Sequence, residues 1–407
     1  MADIYYTGAA QPVAQVSDGK IGTYDAATTY KAVINGKYVS SLAAGDATAA
    51  ALALITDWNE SNYPEMAEIT AANSGVSITL THDTEGVDFT ASLTATSGTG
   101  TVTDFSTTIS ASGPNHFNAA NNYSGSASPS NGDSVTFSGD IPSVTQGLSA
   151  TSLTTLSIYI RNVPNDWQLG LPPTNRSGFG EYPEYREQQL TIKGATLIHV
   201  DAPNCGLMRI STGAVSMTLN CYATGQPRDE TIPALTVDGA HSSNLYNVLG
   251  GSVGLAVRPG ETITAANIKA SNQSAVTIGR GSTITAATVT SGSQLQCESS
   301  ITTLLVDGGL ATIRGTAAFT TLTVTDGGKL LYASSGTIGT LNAGSKGRIE
   351  FSEDIARTVT TCNAYAGSSI LDSAATVTWT NGIVLTQCDV GDVTPFAVGN
   401  NRTLKVS

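Results

Sequence analysis

Apolar residues in the second half of the chain recur in the same columns every 17–21 residues. The segments ITAANIKASNQSAVTIGRGST (from Ile263), ITAATVTSGSQLQCESS (from Ile284), ITTLLVDGGLATIRGTAA (from Ile301), FTTLTVTDGGKLLYASSGT (from Phe319) and IGTLNAGSKGRIEFSED (from Ile338) align on those columns. Within each segment the apolar positions alternate with Thr, Ser and Gly, as in Ile301, Leu304 and Val306. That is the two-residue period of short strands. One such segment cannot bury its apolar face alone, so the segments must stack as coils of a solenoid around a shared core.

The coil pattern begins near residue 134, and the region before it is different. TYKAVINGKYVSSL reads as a hairpin around Asn35 and Gly36, a pair that tolerates the positive φ angles of a tight turn. Asp46 is the expected N-cap of a helix in which Ala51, Leu54, Ile55 and Trp58 recur at helical spacing. Two further strands follow Pro64, giving ββαββ order and one helix laid on an antiparallel sheet. The expected fold is therefore mainly β: a small N-terminal α+β domain (residues 1–110) for docking or oligomerisation, then a right-handed parallel β-helix (134–407). Residues 111–133 between them read as a linker or as a cap over the solenoid's open end. At 18–21 residues each, the solenoid would hold roughly 12–14 coils and run about 60 Å.

Composition narrows the function. Only 13% of residues are charged, and the formal net charge is −13. A chain so poor in basic residues is not expected to bind nucleic acid, because phosphate neutralisation needs Lys and Arg. No apolar run approaches the length of a membrane span, and the start MADIYYTGAAQPVAQ carries no signal pattern, so neither membrane insertion nor export is expected. The five cysteines (205, 221, 297, 362 and 388) are widely spaced and lack a CxxC pair, which argues against a zinc site or a disulfide framework. Cys297 falls in an inward column, as a small buried hydrophobe would.

The coils are interrupted once, by PNDWQLGLPPTNRSGFGEYPEYREQQ at residues 164–189. Its Trp167, Phe179, Tyr182, Tyr185 and Arg186 are the candidate interaction residues, since aromatics and arginine are enriched where protein surfaces meet. A cover for the solenoid flank and a carbohydrate platform remain alternatives. The Asp-Gly-Gly turns at Asp307 and Asp326 stack at one edge of successive coils, and turn geometry explains them without calcium. Glu298, Asp307, Glu350, Glu353 and Asp354 form no convincing pair for glycoside hydrolysis. His82, His116, His199 and His241 are too dispersed to suggest a Ser/His/Asp arrangement. No catalytic residue, metal site or cofactor is expected, and the chain reads as a non-enzyme.

YYTGAAQPVAQV, YKAVINGKYVS, the helix ending in DWNES and YPEMAEITAANSGVSITLTHDTEGVDFT together resemble virion structural proteins of tailed bacteriophages and their prophage relatives. GPNHFNAANNYSGSASPSNGDSVTF is similar to a family variant carrying Trp where Phe117 and Tyr123 stand here. GLPPTNRSGFGEYPEYREQQL is similar to the family's Gly-Leu-Pro to Glu-Tyr-Arg segment. The resemblance covers about the first 200 residues, and the coils beyond match by architecture only. It implies an auxiliary or decoration-type component of the particle, made in the host cytoplasm and resident in the virion. The implied partners are other virion proteins, foremost the major capsid protein, and further copies of the chain, with a trimer as one arrangement. The alternative is a tail spike or fibre binding host-surface glycan, with or without depolymerase activity.

Overall fold

The computed structural model of the chain describes residues 2–42, 44–225, 233–352, 354–372, 374–386 and 404–406. Half of the chain is strand and 5% helix, and its larger part is a parallel β-solenoid of about 12 turns. Each strand pairs in parallel with the strand two further along the chain, so neighbouring coils exchange backbone hydrogen bonds on two long sheets. In one sheet Ile301–Asp307 is followed by Phe319–Thr325, Ile338–Ala343 and Arg357–Tyr365. Their register stacks Leu304 on Leu322, Leu341 and Cys362, and Val306 on Val324, Ala343 and Ala364. All eight side chains are buried. The alternating sequence thus becomes continuous apolar columns, which is how coils that are unstable singly share one core.

The outward residues between those columns stack as well. Asn363 donates to Asn342 (2.9 Å), and Asn342 to Thr323 (3.2 Å). Cys297 is buried in the other sheet, on Gln294–Cys297. Burial pushes the thiols of Cys221, Cys297 and Cys362 up to about 12, so these three are packing groups rather than nucleophiles. Cys388 and Glu353 lie outside the described residues.

The solenoid starts earlier in the sequence than its repeats suggest. Asp3–Tyr5 lies parallel to Ser134–Phe137 with Ile4 beside Val135, and so belongs to the first coil. The chain then leaves to form the α+β unit and returns. That unit has two antiparallel sheets, one of four strands and one of three. The hairpin Thr29–Ile34 and Lys37–Leu42 turns at Asn35 (φ 47°) and Gly36 (φ 73°), as expected of this dipeptide. The helix Ala47–Asn59 is capped by Asp46, whose carboxylate accepts from the Ala49 N–H at 2.8 Å. It buries Ala50, Ala51, Leu54, Ile55 and Trp58 in a core shared by both sheets.

Three strands go beyond the expected four: Val16–Ile21 and Val102–Ile109, which pair with each other and complete the four-stranded sheet, and Ala91–Thr96, which pairs with Thr29–Ile34 in the other. VTDFSTTI is mostly exposed and lacks an apolar alternation, so its strand state is fixed by its partner rather than by its own pattern.

Residues 111–133 pack onto the first coil. Phe117 and Tyr123 join Tyr6, Phe137 and Trp167 in a buried aromatic cluster with neighbouring ring centroids 5.2–6.5 Å apart. Asn122, fully buried, accepts from the Ala10 N–H and donates to the carbonyls of Gly113 and His116. The end of the core is thereby covered, with the polar groups of Asn122 satisfied and the buried His116 Nδ1 left without a partner.

Candidate functional site

The insertion at 164–189 connects the two parts of the molecule. Trp167 anchors its base: the ring lies in the aromatic cluster, and its indole N–H donates to the Pro142 carbonyl at 2.8 Å. The insertion then projects as a hairpin, Thr174–Ser177 against Gly180–Pro183, with Gly178 and Phe179 at the tip. The hairpin lies on the α+β unit. Tyr182 donates to Glu68 at 2.8 Å, and Asn175 donates to the Tyr182 hydroxyl at 2.7 Å. From the other side Asn35 donates to Glu65 at 2.8 Å and to the Pro183 carbonyl at 3.3 Å. Tyr185 packs against the core of the α+β unit.

Behind the hairpin, Arg186 grips Glu184 through two bonds of 2.8 and 2.7 Å. The two side chains are 9% and 1% exposed. A bidentate geometry of this kind is what lets an ion pair survive burial. Of the five residues singled out in the insertion, then, Trp167, Tyr182, Tyr185 and Arg186 are engaged within the chain. Phe179, at the hairpin tip, is 61% exposed.

Between the hairpin and the α+β unit the structure leaves a cleft of about 360 Å³. Glu68, His82, Thr84 and Val87 form one wall, Leu171, Pro172, Asn175 and Phe179 the other, and Gln146 and the Glu184–Arg186 pair complete it. The His82 imidazole is 4% exposed, and burial lowers its pKa, so the ring is neutral at neutral pH. Its Nδ1 accepts from the Thr84 N–H at 3.0 Å, which leaves the proton on Nε2. Glu68, His82 and Gln146 were not identifiable as site residues, since nothing in their spacing links them to the insertion; only the fold brings them together.

The remaining histidines are structural. His199 stacks between Tyr159 (5.7 Å) and Tyr222 (5.0 Å) on the outer face of successive coils. His116 bonds the Gly86 carbonyl through Nε2 at 2.9 Å, and His241 accepts from the Ser243 N–H.

The acidic candidates are likewise separated. Glu298 pairs with Arg280 at 2.5 Å and Glu350 with Lys329 at 3.8 Å. Asp354 is exposed. Asp307 and Asp326 do meet, and desolvation together with the Asp326 carboxylate raises the pKa of Asp307. Among the described residues no three His, Cys, Asp or Glu side chains gather as a metal site, and no helix is long and apolar enough to cross a membrane.

A second groove, of about 510 Å³, runs along the flank between Arg258, Arg280 and Arg314. Two of its cations are neutralised locally, Arg258 by Glu261 (3.6 Å) and Arg280 by Glu298. The junction cleft is the better-built site, because its polar groups come from separate elements and converge on one apolar-walled space.

Comparison of the chain with protein-family models, with curated proteins and with solved structures gives no match.

Proposed function

We propose that the chain is a non-enzymatic structural component of a tailed-bacteriophage particle, acting as a decoration or stabilising protein on the capsid. The observation that carries this reading is mechanical: solenoid and α+β unit are joined by a buried brace. A continuous apolar core runs along the coils, the first coil is closed by the aromatic cluster, and Tyr182, Tyr185 and the Glu184–Arg186 pair fasten the second unit to it. Such a body can hold neighbouring subunits in register without moving parts, because its backbone is paired between coils along its length. The α+β unit then serves as the docking end, and the major capsid protein as the surface it grips.

The test is the copy number of this chain relative to the major capsid protein in purified particles, by quantitative mass spectrometry. Hundreds of copies per particle are expected of a lattice-wide decoration protein. A count of a few to some tens would overturn that placement and move the chain to the tail or a vertex.

A further inference from the structure

We infer that the junction cleft is a binding site for a single hexopyranose ring, the chemical class being a neutral or amino-substituted sugar. The inference is independent of the particle assignment, since it concerns a site within one chain.

Three features carry it. The first is size: about 360 Å³ lies at the small end of ligand sites, too little for an extended peptide and enough for one sugar ring. The second is the division of chemistry between the walls. On the insertion side Phe179, Leu171 and Pro172 offer apolar surface, with the Phe179 ring at the rim where the C–H face of a pyranose can stack on it. Facing them are groups with capacity left after their internal bonds. Glu68 uses one carboxylate oxygen on Tyr182, which leaves the other to accept. His82 uses Nδ1 on Thr84, which leaves Nε2–H to donate. Gln146 accepts from the Asp88 N–H through its oxygen, which leaves its amide to donate. Donors and an acceptor converging opposite an apolar wall match a ring with hydroxyls on its edge and C–H groups on its face. The third feature is charge. Glu184 and Arg186 neutralise each other and His82 is neutral, so among the described residues Glu68 is the one uncompensated charge lining the cleft. That disfavours a phosphate or a uronic acid and accommodates an uncharged or amino sugar.

Pre-organisation supports the same conclusion. His82, Gln146 and Glu184 are each more than nine-tenths buried and held by the bonds above, so binding need not order them. The Tyr159–His199–Tyr222 ladder, of which only Tyr222 is exposed, is a poorer sugar platform, because its rings stack on one another.

The experiment is ligand-observed saturation-transfer NMR on the full chain with glucose, galactose, glucosamine, N-acetylglucosamine and glucuronate, followed by titration of any binder. The expected result is transfer from at least one neutral or amino sugar, weaker transfer from glucuronate, and about tenfold weaker binding in Phe179→Ala. Tyr222→Ala removes an exposed aromatic outside the cleft and is expected to bind as the parent chain does. Thr84→Ala, at the cleft mouth, serves as a second cleft variant whose binding can be compared at an unchanged melting temperature. The inference is overturned if no sugar in the panel binds at about 10 mM, if glucuronate binds best, or if Phe179→Ala and Tyr222→Ala bind equally well.

Discussion

Tyr182 donates a 2.8 Å hydrogen bond to Glu68, which joins residues 114 positions apart and ties the insertion of the solenoid to the α+β unit. Asn175 donates to the same hydroxyl at 2.7 Å, so one oxygen serves both sides of the junction. In Tyr182→Phe the Asn175 amide and one Glu68 oxygen lose their partner beside a ring that is 3% exposed. Leaving such groups unpaired costs about 1–3 kcal/mol. The loss falls on the junction rather than on either core. The expected outcome in scanning calorimetry is an earlier transition for the α+β unit, with the solenoid transition unmoved. A single, unshifted transition would show that this bond does not hold the junction.

The Glu184–Arg186 pair supports a sharper test, because a buried ion pair responds unequally to losing one partner or both. Arg186→Met leaves a carboxylate that is 1% exposed without its cation, at a cost of about 3–5 kcal/mol. Replacing both, as Glu184→Gln with Arg186→Met, removes the buried charge altogether and is expected to recover most of that loss. Denaturant titration of the two variants and the parent chain reads the difference directly. If the double variant were as unstable as Arg186→Met, the pair would matter for its shape and not its charge.

The solenoid was legible in the sequence because every coil reports the same alternation, so residues such as Leu304, Leu322 and Leu341 repeat one message in register. The Asn35-Gly36 hairpin and the Asp46 cap were legible for a local reason, since the backbone conformation there is dictated by the residues themselves. The first strand, Asp3–Tyr5, was not, because three residues carry no period and its partner Ser134–Phe137 lies far along the chain. The cleft failed for the same reason. Trp167, Phe179, Tyr182, Tyr185 and Arg186 stood out as an aromatic, charged interruption of the coils, but their spacing could not say that four of them face inward. Nor could it reveal Glu68, His82 and Gln146, which reach the cleft from three separate segments.

Two glycines distinguish a packing constraint from an open position. A Cβ at Gly279 would lie 1.8 Å from the Ala256 carbonyl oxygen, on the backbone of the preceding coil. A Cβ at Gly178, in the hairpin tip, would meet nothing within 4 Å. Gly279→Ala must therefore push adjacent coils apart and is expected to lose about 1–3 kcal/mol or more. Gly178→Ala is expected to stay within about 0.5 kcal/mol of the parent chain. Thermal denaturation of both variants, followed by circular dichroism, provides the comparison. Equal stability of the two would mean that the coils can separate locally without cost.

Asp238 gives a pH dependence whose sign follows from its surroundings. Burial raises its carboxyl to about 6, with Glu261 adding to the shift and Arg258 opposing it, against about 3.9 in an unfolded chain. The folded state therefore holds this proton more tightly than the unfolded state does. Its contribution to stability is fully present below the unfolded pKa and is lost as the pH rises through about 6. Above that, folding must bury a carboxylate. Asp238→Asn removes the charge while keeping a side-chain oxygen for the Thr212 N–H, which now donates to Asp238 at 3.1 Å. Discounted for the partial exposure of the group, the variant should gain about 1–2 kcal/mol at about pH 8 and nearly nothing at about pH 3.5. Urea midpoints at the two pH values measure this, and a gain of the same size at both would show that the effect of the substitution is steric and not the removal of a buried charge.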